Sequence, residues 1–171
     1  IARQKAEKAA RRLPQLSKEA EQSVGQLKRA SDYLARKPEL AKELSAAEVL
    51  RIFEENFLNK EKPFSVVEAH FAQVNGITAT VTLDLNGQRK VVTSVGNGRL
   101  DAVANAIQSA TGMDFHLEVY SEHSLDEGST SRAASYVGLS WGDGSMTWGA
   151  GTDTDIIVAG IKALVSAINS K

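Results

Sequence analysis

The chain has 171 residues, 42% hydrophobic and 24% charged, with a formal net charge of -1. That composition fits a folded domain and excludes wholesale disorder. The sequence has no run of the roughly 20 apolar residues needed to span a bilayer and no cysteine for a disulfide framework or a thiolate zinc site. With no signal-like segment at its start, it reads as a cytoplasmic protein from a reducing compartment. Ile1 in place of an initiator methionine points to a fragment or a processed product.

The near-zero charge hides an asymmetry. Residues 1–62 hold 14 Lys/Arg against 10 Asp/Glu, whereas residues 63–171 hold 6 against 11. Basic and acidic residues alternate in the first part and only Tyr33 offers an early aromatic for stacking, ahead of Phe53 and Phe57, which predicts a solvated helix face and not a nucleic-acid surface.

The first elements are helical. Ile1 to Leu13 is rich in strong helix formers and stops at Pro14. From Lys18 to Arg36, Ala20, Val24, Leu27, Ala30 and Leu34 recur three and four apart on one face, and Lys37-Pro38 ends the run. Ser45 and Glu48 have capping-box spacing ahead of an apolar stripe of Val49, Leu50, Ile52, Phe53 and Phe57. The polar stretch Asn59–Pro63 marks the expected boundary between a helical segment, 1–62, and a second domain, 63–171.

The pattern then changes period. Phe64–Phe71, Ile77–Leu85 and Arg89–Val95 alternate, are rich in β-branched residues, and are separated by Asn75-Gly76 and Asn86-Gly87, both strong type I′ hairpin signals. Leu100, Val103, Ala104 and Ile107 continue as a helix ending near Thr111-Gly112. A second round follows: strands over Phe115–Tyr120, Ala133–Trp141 and Met146–Gly149, a turn at Asp143-Gly144, and a helix from Ile156 to Ile168. The predicted fold is α+β: duplicated βββα units, two antiparallel three-stranded sheets with helices, preceded by a helical segment.

Each round carries glycines ahead of its helix, Gly96-Asn97-Gly98 and Gly149-Ala150-Gly151. Such turns attract anions, but the third glycine of the dinucleotide fingerprint is missing and Asp101 would repel a phosphate. Free N–H groups at the turn suit the carboxylate of an amino acid better. His70, His116 and His123 lack metal-ligand spacing, Glu122-His123 fits a strand end, and no nucleophile elbow or paired carboxylates occur. No catalytic residues and no metal ligands are expected.

Several motifs resemble the C-terminal regulatory domain of 2-isopropylmalate synthases: Gly96-Asn97-Gly98-x-x-Asp101-Ala102, Tyr120-Ser121-Glu122-His123-Ser124-Leu125-x-x-Gly128, Ala133-Ala134-x-Tyr136-Val137, and Trp148-Gly149-x-Gly151-x-x-Thr154-Asp155-Ile156. Ala163–Asn169 and the helix around Glu43–Glu55 extend the likeness to about residues 43–171, while residues 1–42 match no part of the family. The resemblance implies a homodimeric feedback module that binds L-leucine or another branched-chain amino acid. It would have no cofactor of its own, because the metal-dependent barrel that condenses acetyl-CoA with 2-oxoisovalerate is absent, and no nucleic-acid or membrane partner. It implies effector contacts at Gly96, Asn97, Gly98, Leu100, Ala102, Leu117, Tyr120, Ser124, Ser131 and Ile156, with Ser124 and Ser131 standing where the family usually has alanine. Two alternatives remain open at this point: the isoleucine-sensing domain of citramalate synthase, and a dimerisation module with a vestigial pocket.

Overall fold

The computed structural model describes residues 44–73, 76–126, 128 and 131–171; the helices expected over Ile1–Leu13 and Lys18–Arg36 lie outside them. Residues Ala46–Lys171 form one compact unit. It comprises α1 (Ala46–Phe57), β1 (Phe64–Gln73), β2 (Ile77–Leu85), β3 (Gln88–Gly96), α2 (Arg99–Thr111), β4 (Phe115–Ser124), β5 (Ala133–Trp141), β6 (Met146–Asp153) and α3 (Ile156–Ile168). The strands make two separate antiparallel sheets, ordered β1-β2-β3 and β4-β5-β6. Two βββα rounds are thus present, as their alternating runs and turn residues predict.

The turns show why the registers are fixed. Asn86 and Gly87 both have positive φ, 54° and 85°, the type I′ geometry that matches strand twist. Alternation then sorts the faces: Ala79, Val81 and Leu83 of β2 are buried together, and α2 covers them with Val103, Ala106 and Ile107. In the second sheet Val137 and Leu139 of β5 meet α3, and Phe115 packs edge-on against Trp141 at 5.6 Å. The two helices touch each other, and α3 also reaches β1.

The duplication extends to local irregularities. β1 has a bulge between Val66 and Glu68, and β4 has one between Leu117 and Val119, each three residues after a fully buried phenylalanine, Phe64 or Phe115. The helix N-termini have diverged. Asp155 caps α3, its Oδ1 accepting from Ile157 N at 2.7 Å and Val158 N at 3.2 Å. Gly98 precedes α2 with no side-chain cap.

The structure changes two sequence expectations. β4 runs to Ser124, four residues past its expected end, because as an edge strand it is exposed along nearly its whole length and carries polar residues on both sides. β6 runs to Asp153, so Gly149 and Gly151 are strand residues and not a second glycine turn. Ideal Cβ atoms there would meet α3 backbone, at 2.2 Å from Ala167 N for Gly149 and from Ala159 O for Gly151. These glycines exist for close helix–sheet approach. Asp153 is tied to the same helix through Lys162 Nζ at 2.8 Å.

The polar stretch after α1 is stitched down, not loose. Leu58 bridges Ala150 in parallel, Asn59 N donates to Ala150 O at 3.0 Å, and Thr152 N donates to Asn59 Oδ1 at 3.0 Å, so this segment covers the free edge of β6. Asn169 clamps the next turn: its Nδ2 donates to Lys60 O at 2.8 Å and Phe64 O at 2.7 Å, and its Oδ1 accepts from Phe64 N at 3.0 Å. Asn169→Ala removes three bonds to main-chain groups and is expected to cost about 2 kcal/mol in a urea unfolding titration. An unchanged midpoint would show that water replaces the clamp.

Candidate effector cleft

A cleft of about 640 Å³ opens where the N-terminus of α2 faces β4, lined by Gly98, Arg99, Leu100, Asp101, His116, Leu117, Tyr120, Glu122 and Ile157. Its two ends differ chemically. At one end, the first helical hydrogen bond is Ala102 N to Gly98 O at 2.9 Å, so the N–H groups of Arg99, Leu100 and Asp101 precede the intrahelical ladder. The Asp101 side chain does not take them; its Oδ2 accepts instead from Asn97 N at 2.8 Å, bracing the turn. The helix therefore presents uncapped donors and the positive end of its dipole to the cleft.

At the other end, β4 presents the alternating residues Tyr120 and Glu122. The Tyr120 hydroxyl donates to Glu122 Oε2. Burial, and then the adjacent Glu122 carboxylate, push the phenol up to about 12, so it stays protonated as a donor through the physiological range. Leu100, Leu117 and Ile157 supply apolar wall between the ends. Behind Tyr120 lies the fully buried hydroxyl of Ser135, which faces the phenol and partly offsets that rise.

Among the residues expected at the effector site, the structure brings Gly98, Leu100, Leu117 and Tyr120 together in this cleft. Gly96 lies beneath the turn, where a Cβ would sit 2.3 Å from Ala102 N. Asn97 contributes its N–H to Asp101, and Ala102 is fully buried against the core. Ser124 and Ser131 lie beyond the cleft at the neck of the β4–β5 connection, where their hydroxyls bond each other and Asp126 O. Ile156, the first helical residue after the Asp155 cap, is 40% exposed, and its neighbour Ile157 forms the wall. Arg99, Asp101, His116 and Glu122 are lining residues that the effector-site expectation did not name; Tyr120 and Glu122, two apart on a strand, were the available signal for the last.

The internal duplication produces a counterpart. A second cleft of about 540 Å³ lies between β1 and the N-terminus of α3, lined by residues including Val66, Phe71, Asp155 and Ile161 and sharing Arg99 and Ile157 with the first. Here the helix donors are already occupied by Asp155. Of the two equivalent positions, only the one before α2 leaves its helix N-terminus open. The described residues hold no cluster of three or more His, Cys, Asp or Glu able to bind a metal ion, and no described helix is long and apolar enough to cross a membrane.

Comparison with known proteins agrees with this architecture. A family model described as the LeuA allosteric (dimerisation) domain matches residues 43–171. A 2-isopropylmalate synthase of Desulfitobacterium hafniense is 41% identical over 131 residues, covering 77% of this chain and 24% of that protein. The enzyme of the same name from Helicobacter hepaticus is 39% identical over 137 residues, covering 75% and 24%, and that of Azoarcus is 35% identical over 129 residues, covering 74% and 22%. The chain spans about a quarter of the length of these curated relatives. On the family match and the duplicated βββα fold it fits, the chain belongs to the LeuA allosteric (dimerisation) domain family.

Proposed function

We propose that this chain is the effector-binding, dimerising portion of a cytoplasmic 2-isopropylmalate synthase, and that L-leucine binds in the cleft between α2 and β4 to exert feedback inhibition. The observation that carries the reading is the pairing of an uncapped helix N-terminus with a carboxylate across an apolar gap. The free donors at Arg99–Asp101 suit an α-carboxylate. Glu122 suits the α-ammonium. Leu100, Leu117 and Ile157 suit an isobutyl group, whose full burial is worth about 1.5–3 kcal/mol. A zwitterion with an aliphatic side chain satisfies all three features at once, which neither a phosphate nor a neutral metabolite does.

Feedback follows from linkage. A ligand shifts a protein between states only by binding one of them better, and typical couplings are about 1–3 kcal/mol. The test is isothermal calorimetry on the chain with leucine, isoleucine and valine. The expected result is a binding heat with leucine at one molecule per chain. Heat with isoleucine alone would transfer the assignment to an isoleucine-sensing enzyme of similar design, and no heat with any of the three would sink the sensor reading.

A further inference from the structure

We propose that Gly160 of α3 sets the upper length of the effector side chain, so that the cleft takes straight-chain apolar amino acids such as norleucine and methionine as well as leucine; this rests on the effector reading above. Gly160 is buried in the interior of α3, where glycine weakens a helix relative to alanine. Gly149 and Gly151 are needed because helix backbone lies against them. Gly160 answers to different atoms. An added Cβ there would stand 3.1 Å from the Tyr120 hydroxyl, 3.6 Å from the Tyr120 ring and 3.8 Å from Leu100 Cδ1. Both neighbours line the cleft, Leu100 from α2 and Tyr120 from β4. The missing side chain leaves a gap at the back of the cleft, between their tips.

The cleft has room for a longer ligand than leucine. Its volume of about 640 Å³ falls within the roughly 300–1,000 Å³ of sites that hold drug-sized molecules, so leucine does not fill it. The uncapped start of α2 and the Glu122 carboxylate fix the two charges of the ligand. The length of its side chain is the remaining variable.

What a methyl group at 160 would do depends on which neighbour yields. α3 is packed firmly around this position, with Ala159, Ile161, Ala163 and Leu164 all buried. Tyr120 stands on an edge strand and is 41% exposed. Its hydroxyl is tied to Glu122, with Ser135 behind it. Relief of the 3.1 Å contact needs only a few tenths of an ångström, and the tyrosine tip gives it toward the open cleft. The gap then closes, and the reach that is lost is that of the last carbon of an unbranched chain.

The test is calorimetry on the 171-residue chain with leucine and norleucine, isomers of equal carbon number that differ in reach. Wild type is expected to bind the two within about 10-fold of each other. Gly160→Ala is expected to lower the norleucine-to-leucine affinity ratio by about 10-fold, the lower end of what one methylene's worth of room decides in an apolar pocket. Tyr120→Phe combined with Gly160→Ala is expected to restore the wild-type ratio, because it removes the hydroxyl and leaves only the ordinary 3.6 Å ring contact. A general loosening of the fold would weaken both ligands alike and leave the ratio unchanged. Circular dichroism confirms folding; should Gly160→Ala fail to fold, the wild-type ratio decides. No heat with leucine on wild type would remove the effector reading itself. Leucine binding with norleucine more than 100-fold weaker, or an unchanged ratio in Gly160→Ala, would overturn only this inference.

Discussion

Gly149→Ala is expected to remove more than 3 kcal/mol of stability, roughly the upper end of what overpacking usually costs. The new methyl would lie 2.2 Å from Ala167 N, 2.3 Å from Ala163 O and 2.7 Å from Ser166 C, all main-chain atoms of α3 that cannot rotate aside. The helix must lift from the sheet, and the buried packing of Leu164 and Ile168 goes with it. Against a total of about 5–15 kcal/mol for a domain of this size, such a loss lowers the melting temperature by roughly 10–20 °C. Gly98→Ala is the internal control, since its Cβ meets nothing within 4 Å; its urea midpoint should correspond to a change within about 1 kcal/mol. A Gly149→Ala chain as stable as wild type would mean that α3 does not approach β6 this closely.

That pair of glycines also shows where the sequence could and could not be read. Strand alternation and the Asn86-Gly87 turn announce the first sheet because the hairpin demands positive φ at both turn residues. Gly149 and Gly151 read as a turn because glycine before a helical run usually marks one, whereas here glycine supplies space. Only knowledge that α3 returns onto its own β6 separates the two uses, and that contact is tertiary. The far half of β4 was hidden for a related reason. An edge strand with both faces partly wet has no need of an apolar alternation, so Ser121–Ser124 carry no strand signature.

The candidate cleft divides along the same line. Leu100, Leu117 and Tyr120 were reachable only through the family resemblance, and Gly98 also through the glycine turn. The β4 bulge after Leu117 shifts the pleat, so which later residues share the cleft side is not given by counting in twos from Phe115. Ile156 and Ile157 differ by a single helical step, and the start of the helix at the Asp155 cap decides which of them turns inward. Sequence spacing alone does not resolve a rotation of about 100° per residue.

Gly98→Asp is expected to abolish leucine binding while leaving the chain folded and slightly more stable. The position tolerates a side chain: its backbone is extended, φ -144° and ψ 174°, and the added Cβ meets nothing. The consequence can be read from the other half of the molecule. At the equivalent position before α3, Asp155 turns its carboxylate onto Ile157 N and Val158 N. An aspartate at 98 would do the same to Leu100 N and Asp101 N, capping α2 and contributing a few tenths of a kcal/mol to about 1 kcal/mol. It would thereby occupy the donors assigned to the ligand carboxylate and place a negative charge where that carboxylate must sit. Calorimetry should lose the leucine heat while the melting temperature holds or rises. Gly98→Ala separates the two effects, because it adds the methyl without the charge and should keep measurable binding. Full leucine affinity in a folded Gly98→Asp chain would place the carboxylate site elsewhere. Loss of binding with retained stability would mean that the two halves of the duplication differ in function through one side chain: the half whose helix caps itself is closed to an amino acid, and the half whose helix begins at glycine is open to one.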